Sequence, residues 1–287
     1  MRFKFTKMEG LGNDYIYVNG FEEHIEKEIK PELVRKMSDR HFGIGGDGMI
    51  FINPSKIADF EMEMWNADGT RAQMCGNGIR CVAKYVYDHG MISAENFTVE
   101  SAGKIKYIKV FPKAGEAETV EVDMGEPILD PNEIPMKIPG NVNAERTVNV
   151  PIEVLGKTYG ITGVSMGNPH GVVFVKNVKD LDFIKDGFGS AFEHHQMFPE
   201  RVNTEFAEVV DRGHINMRVW ERGTGETMAC GTGACATAVA GVLNGLTDRE
   251  VTITLLGGDL NIRWDEVTNR IFMTGPAKKV FDGEAEF

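Results

Sequence analysis

The chain of 287 residues reads as an α/β protein of α+β type built from two like-folded halves, and three observations carry that reading. The turn Cys75-Gly76-Asn77-Gly78 returns as Cys230-Gly231-Thr232-Gly233, 155 residues further on. The same offset relates Trp65 to Trp220, each ten residues before its cysteine, and Gly12-Asn13 to Gly167-Asn168. Short runs rich in Val, Ile, Phe and Tyr, separated by Gly, Asp or Asn, fill both halves, with one apolar helix in each. Anchors spread over more than sixty residues that keep one register point to an internal duplication.

Strands are expected at 3–7, 15–18, 49–52, 60–65, 97–100, 105–111 and 119–123, and then at 148–154, 171–175, 205–210, 215–220, 251–255, 260–264 and 271–274. Met62 and Met64 alternate with Glu61 and Glu63, as Met217 and Val219 do with Asn216 and Arg218, which is the period of a half-buried strand. Residues 76–89 predict a helix with Ile79, Val82, Ala83 and Val86 on one stripe and Gly90 as its stop. Residues 231–244, ending at Gly245, are apolar on all sides, so that helix must be buried, inside its own sheet. Surface helices are expected over 23–38 and 180–193. The Pro-rich stretch from Glu126-Pro127 to Pro139-Gly140 reads as a linker, and residues 275–287 as a return to the first half. The halves are therefore 1–127 with 275–287, carrying Cys75, and 128–274, carrying Cys230.

Composition narrows the function. With 43 acidic against 31 basic residues, a net charge of -12 and no long basic run, nucleic acid and anionic membranes are not expected partners. A hydrophobic content of 42% is ample for two cores. Met1-Arg2-Phe3-Lys4-Phe5 alternates like a strand, without the apolar core of an export signal, and no stretch reaches the roughly 18 apolar residues of a membrane span. Four cysteines in a chain read this way fit a reducing, cytoplasmic setting, where thiols remain available for chemistry.

Each of Cys75 and Cys230 stands where a turn opens a buried helix. Free N–H groups and the positive end of the helix dipole point outward there, a setting that raises the thiolate fraction of a cysteine. The N–H groups of Gly76, Asn77, Gly231 and Thr232 form two nests suited to a carboxylate. If the halves face each other, one carboxylate fits between both helix ends, with a thiol on either side of the neighbouring carbon. Inversion at an amino-acid α-carbon needs that arrangement, since one group takes the proton from one face and another returns a proton to the other. No cofactor motif is present, so no cofactor is expected and N–H donors must carry the developing charge. Cys81 and Cys235 lie inside the helices and read as core. The spacings C-x5-C and C-x4-C are not those of a zinc site, so no metal is expected.

Met74-Cys75-Gly76-Asn77-Gly78-Ile79-Arg80-Cys81 and Ala229-Cys230-Gly231-Thr232-Gly233-Ala234-Cys235 resemble the two signatures of the diaminopimelate epimerases. The resemblance extends over nearly the whole chain, through Gly10-Leu11-Gly12-Asn13-Asp14-Tyr15, Trp65-Asn66-Ala67-Asp68-Gly69, Gly167-Asn168-Pro169-His170, Arg201-Val202-Asn203-Thr204-Glu205, Glu221-Arg222-Gly223 and Met273-Thr274-Gly275-Pro276-Ala277. It implies a cofactor-independent isomerase interconverting LL- and meso-diaminopimelate in lysine and peptidoglycan precursor synthesis. It also implies a homodimer of two pseudo-symmetric domains, each a mostly antiparallel sheet wrapped around a central helix, with the active site in the cleft between. Residue by residue, it implies Cys75 and Cys230 as the acid/base pair and the backbone of Gly76, Asn77, Gly231 and Thr232 as the carboxylate cradle. Asn13, Asn66, Asn168, Asn203, Glu221 and Arg222 match substrate-binding positions, and His170 and Glu221 match positions that tune the thiols.

One departure stands in Gly43-Ile44-Gly45-Gly46-Asp47-Gly48, where the family usually has Gln in place of Gly48. At the repeat offset Gly48 is the mate of Asn203, so one half lacks the side chain of a binding residue. Two other readings use the same residues: a two-thiol racemase of proline, hydroxyproline or glutamate, and a thiol redox or small-molecule-binding protein that cycles a Cys75–Cys230 disulfide. Proline-type enzymes usually have His where Asn77 stands, and they have no use for Asn203 and Arg222.

Overall fold

A computed structural model describes residues 1–72, 74–138 and 145–287. The chain divides into two compact units, one of Met1–Asp123 with Thr274–Phe287 and one of Met124–Met273. Residues 139–140 of the expected linker lie outside the described residues.

In the first unit the chain runs through β1 (Arg2–Gly10), β2 (Asn13–Asn19), α1 (Lys30–Ser38), β3 (Gly48–Asn53), β4 (Phe60–Asn66), α2 (Gly76–Asp88), β5 (Asn96–Ser101), β6 (Lys104–Lys113) and β7 (Glu116–Gly125). Neighbouring strands pair antiparallel except β2 with β3 and β4 with β5, which are parallel. A parallel pair cannot be joined by a hairpin and needs a crossover. The two crossovers carry α1 and α2.

The second unit repeats this plan with β8 (Val150–Val154), β9 (Lys157–Ser165), β10 (Pro169–Phe174), α3 (Phe188–Glu193), β11 (Asn203–Asp211), β12 (His214–Glu221), the short β13 (Gly225–Glu226), α4 (Gly231–Leu243), β14 (Glu250–Leu255), β15 (Gly258–Trp264) and β16 (Ile271–Pro276). Its parallel joins are β10 with β11 and β12 with β14, and their crossovers carry α3 and α4. The pairs β1/β9, β3/β11, α2/α4 and β7/β16 begin at residues 2/157, 48/203, 76/231 and 116/271, one offset of 155 throughout. β17 (Lys278–Glu286) then returns to the first unit and pairs antiparallel with β1, as β8 does with β9.

Each unit is folded around its long helix. α2 packs on β1, β2, β6 and β17, and α4 on β9, β10, β11, β14 and β15. α4 needs no polar face, because Ala234 to Ala240 are all buried. α2 is buried while carrying two cations, and both find acceptors: Lys84 Nζ donates to Ala117 O at 2.8 Å and pairs with Asp88 at 2.6 Å. The Arg80 guanidinium, fully buried, donates to Gly76 O, Asn77 Oδ1 and Pro276 O at 3.1, 2.9 and 3.1 Å. A buried cation is tolerated only with such partners.

The expected helix over 23–38 is shortened to α1, because Pro31 lies in its first turn and proline favours that position. Over 180–193 only α3 is α-helical. It follows 3-10 turns at Val178–Asp180 and Lys185–Gly187, and Gly187 breaks the run with a left-handed φ of 68°. β9 and β17 answer to no strand expected from the sequence. β9 carries Gly160 and Gly163, which dilute its β character, and β17, in the segment expected to return to the first half, is largely exposed and so lacks an apolar alternation.

Candidate active site

Both expected cysteines are N-caps, each held extended ahead of a helix of 13 residues: Cys75 at φ -136°, ψ 117° before α2, Cys230 at φ -121°, ψ 108° before α4. In the first unit the Gly78 N–H donates to Cys75 Sγ at 3.3 Å, which favours the thiolate. On its other side Cys75 Sγ donates to Asn13 Oδ1 at 3.1 Å. Asn13 Nδ2 in turn donates to Asp47 Oδ2 at 2.6 Å, and Arg40 binds Asp47 Oδ1 at 2.9 Å. Asn77 turns its side chain inward to Arg80, so its backbone, not its amide, is what the helix end offers.

In the second unit Cys230 is buried, with Thr232 Oγ1 at 3.5 Å from its sulfur. Thr232 Oγ1 accepts from Asn168 Nδ2 at 3.3 Å, Asn168 Oδ1 lies 3.0 Å from His170 Nε2, and His170 Nδ1 lies 2.7 Å from Glu205 Oε1. Five residues thus form one chain from a buried carboxyl to the thiol. The expected thiolate at Cys230 is corrected here: burial first, then the charges of Glu221 and Glu205, push this thiol well above its ordinary range, against smaller help from Thr232 and the Gly233 N–H. Burial also raises Glu205, with His170 opposing, and Glu205 Oε2 is buried with no hydrogen-bond partner. A Cβ on Gly233 would meet Glu205 Oε1 at 2.6 Å and Cys230 Sγ at 3.2 Å, so glycine is what lets carboxyl and thiol close on the helix end.

The remaining expected residues sit at or just beyond strand ends. Asn66 ends β4 opposite Gly48 and donates to Thr70 Oγ1 at 3.1 Å. Glu221 ends β12 and accepts from Thr227 Oγ1 at 2.5 Å. Arg222 reaches the Glu200 carbonyl at 3.0 Å. Asn203 donates to Pro169 O at 3.0 Å and accepts from Arg222 N at 2.9 Å, which leaves its second N–H and second lone pair for another partner. At Gly48 a Cβ would lie 2.0 Å from Trp65 O and 2.9 Å from Tyr15 Cε1; the backbone has closed over the place of the missing side chain.

Asp47 and Glu205 were not singled out from the sequence as site residues. Their repeat mates are Val202 and Ile50, so the duplication gave no pointer to either. The signal available was the matching polar character of Asn13 and His170, which need partners once buried.

The two-repeat architecture has relatives among solved structures: a phenazine biosynthesis protein of the PhzF family from Bacillus anthracis superposes with a TM-score of 0.72 at 16% identity, over 100% of both chains. At the level of sequence, the diaminopimelate epimerase family model matches residues 5–129 and 162–280. The diaminopimelate epimerase of Acetivibrio thermocellus is 54% identical over 99% of this chain and 98% of its own length, and that of Desulfovibrio desulfuricans is 53% identical over 98% and 97%. The chain belongs to the diaminopimelate epimerase family, isomerases that act on an amino acid.

Proposed function

We propose that this chain interconverts LL- and meso-diaminopimelate without a cofactor, with Cys75 and Cys230 as its two proton-transfer groups. The observation that carries the reading is the equivalence of the two thiols: each is the extended N-cap of a buried 13-residue helix, at one repeat offset. One thiolate takes the α-proton from one face of the reacting carbon, and the other thiol supplies a proton to the opposite face. In the reverse direction the roles exchange. Cys230, kept neutral by burial and by Glu221 and Glu205, is the group ready to give a proton. Cys75, with the Gly78 N–H aimed at its sulfur, is the better placed to accept one.

Loss of the α-proton moves negative charge onto the substrate carboxylate. The N–H groups of Gly76, Asn77, Gly231 and Thr232 stabilise it, and one such donor is worth on the order of 2.7 to 4 kcal/mol. Asn13, Asn66, Asn168, Asn203, Glu221 and Arg222 hold the rest of the substrate: Arg222 suits a carboxylate, Glu221 an ammonium, and the amides either. His170 and Glu221 tune Cys230, Glu221 directly and His170 through Asn168 and Thr232. The reading includes a cytoplasmic homodimer; four free cysteines and a net charge of -12 fit a reducing aqueous compartment.

Chiral chromatography of LL-diaminopimelate incubated with wild type, Cys75→Ser and Cys230→Ser tests the assignment. Wild type converts it, and each variant loses at least about a hundredfold in rate. Full conversion by either variant removes that cysteine from the reaction.

A further inference from the structure

Asn13 faces two groups of different character, and the chemistry of one fixes its relation to the other. The Asp47 carboxylate only accepts hydrogen bonds, so the group 2.6 Å from its Oδ2 is the Asn13 Nδ2 donor. That leaves Asn13 Oδ1 facing Cys75 Sγ at 3.1 Å, where a carbonyl oxygen receives an S–H and repels a thiolate. Asp47 is itself held. Its Oδ2 also accepts from Asp14 N at 3.1 Å, its backbone N–H donates to Asp14 O at 2.7 Å, and its Oδ1 takes Arg40 at 2.9 Å. Arg40 also binds Asp14 at 2.7 Å, and Lys7 pairs with Asp14 at 2.5 Å. The second unit has no copy of this device, because Asp47 corresponds to Val202 and the mate of Asn13, Asn168, is turned towards His170 and Thr232 instead.

We propose that Asp47 is a positioning residue that fixes the Asn13 amide with its oxygen on Cys75, so that the S–H formed when Cys75 takes the substrate proton has an acceptor waiting. The inference rests on Cys75 being a proton-transfer group. Without Asp47 the amide is free to turn and offer Nδ2 to the sulfur, which reverses the preference and leaves a weaker base. Among the described residues, the ionisable groups near this thiol include, besides Asp47 with Asp14 and Arg40 behind it, Tyr15 and Tyr17 on β2 and Cys81 on α2. Burial pushes the last three up, Cys81 to about 12, so they are neutral across the range tested.

The test is the pH dependence of iodoacetamide alkylation at Cys75, followed by peptide mass spectrometry, in wild type, Asp47→Leu and Asp47→Asn. Asp47→Leu makes Cys75 alkylate about tenfold faster at neutral pH. Asp47→Asn stays near wild type, because two donors, Asp14 N–H and Asn13 Nδ2, hold its oxygen on the Asn13 side, while Arg40, which loses its acceptor there, keeps both of its bonds to Asp14. Equal acceleration in both variants marks a plain charge effect and overturns the proposal, as does an unchanged Asp47→Leu. Should Asp47→Leu fail to fold, Asn13→Leu carries the same prediction, since it removes the acceptor oxygen directly; an unchanged rate there contradicts the proposal. Full epimerase activity in Cys75→Ser is a different failure: it removes Cys75 from the reaction while the alkylation series still reports on Asp47.

Discussion

Glu205 Oε1 stands 2.7 Å from His170 Nδ1, and neither side chain is exposed to solvent. The pair sits beneath the helix end that carries Cys230, and the negative charge of Glu205 raises that thiol together with the larger effect of Glu221. Removing either charge favours the thiolate. Glu205→Gln and Glu221→Gln therefore shift the pH midpoint of Cys230 alkylation downward, Glu221→Gln further. A midpoint unmoved in both variants contradicts this account of Cys230.

Arg80 closes the first unit from inside, tying the first turn of α2 to Pro276. Its repeat mate is Cys235, a small buried thiol, so the brace belongs to one unit only. Arg80→Ala leaves three acceptors without their donor, two of them buried, and costs about 3 kcal/mol or more in urea denaturation. Arg80→Lys rescues little, because a compact ammonium does not span the same acceptors.

Gly48 has no room for a side chain. Gly48→Ala places a carbon against the Trp65 carbonyl and destabilises by about 1 to 3 kcal/mol in thermal or urea unfolding. Wild-type stability in Gly48→Gln, the residue usual in the family, would mean that β4 yields easily.

Stability falls in alkali. Burial pushes Cys81 to about 12 and Cys230 well above its ordinary range, so in the folded chain both stay protonated where the unfolded chain ionises. That contribution is complete below the unfolded value of about 8.5 and is lost as pH rises from there towards the folded values, by up to about 1.4 kcal/mol per unit per group. Urea denaturation from pH 8 to pH 10.5 shows the decline, and Cys81→Ala makes it shallower.

What the sequence revealed and what it hid have separate physical causes. Cys75, Cys230 and their helices were legible because turn glycines, tryptophans and apolar stripes repeat at one offset. The same offset places β9 opposite β1, yet Gly160 and Gly163 masked it from composition. α1 was over-extended because the charged run before Pro31 has helical composition without a helix start. Asp47 and Glu205 escaped for a different reason: each is paired with a residue distant in the chain, Asn13 in one case and His170 in the other, and pairing of this kind leaves no local pattern. The Cys230 thiol was misjudged because the helix dipole is visible in sequence, whereas burial and the approach of two glutamates are not.

The most direct test of the central claim is α-proton exchange in deuterium oxide, followed by NMR, with reduced protein, no added cofactor, and LL- and meso-diaminopimelate beside proline, hydroxyproline and glutamate. The account predicts deuterium at the α-carbon of diaminopimelate alone, with interconversion of its stereoisomers that is lost in Cys75→Ser and in Cys230→Ser. Exchange confined to another amino acid, or no exchange by folded and reduced protein, would contradict it.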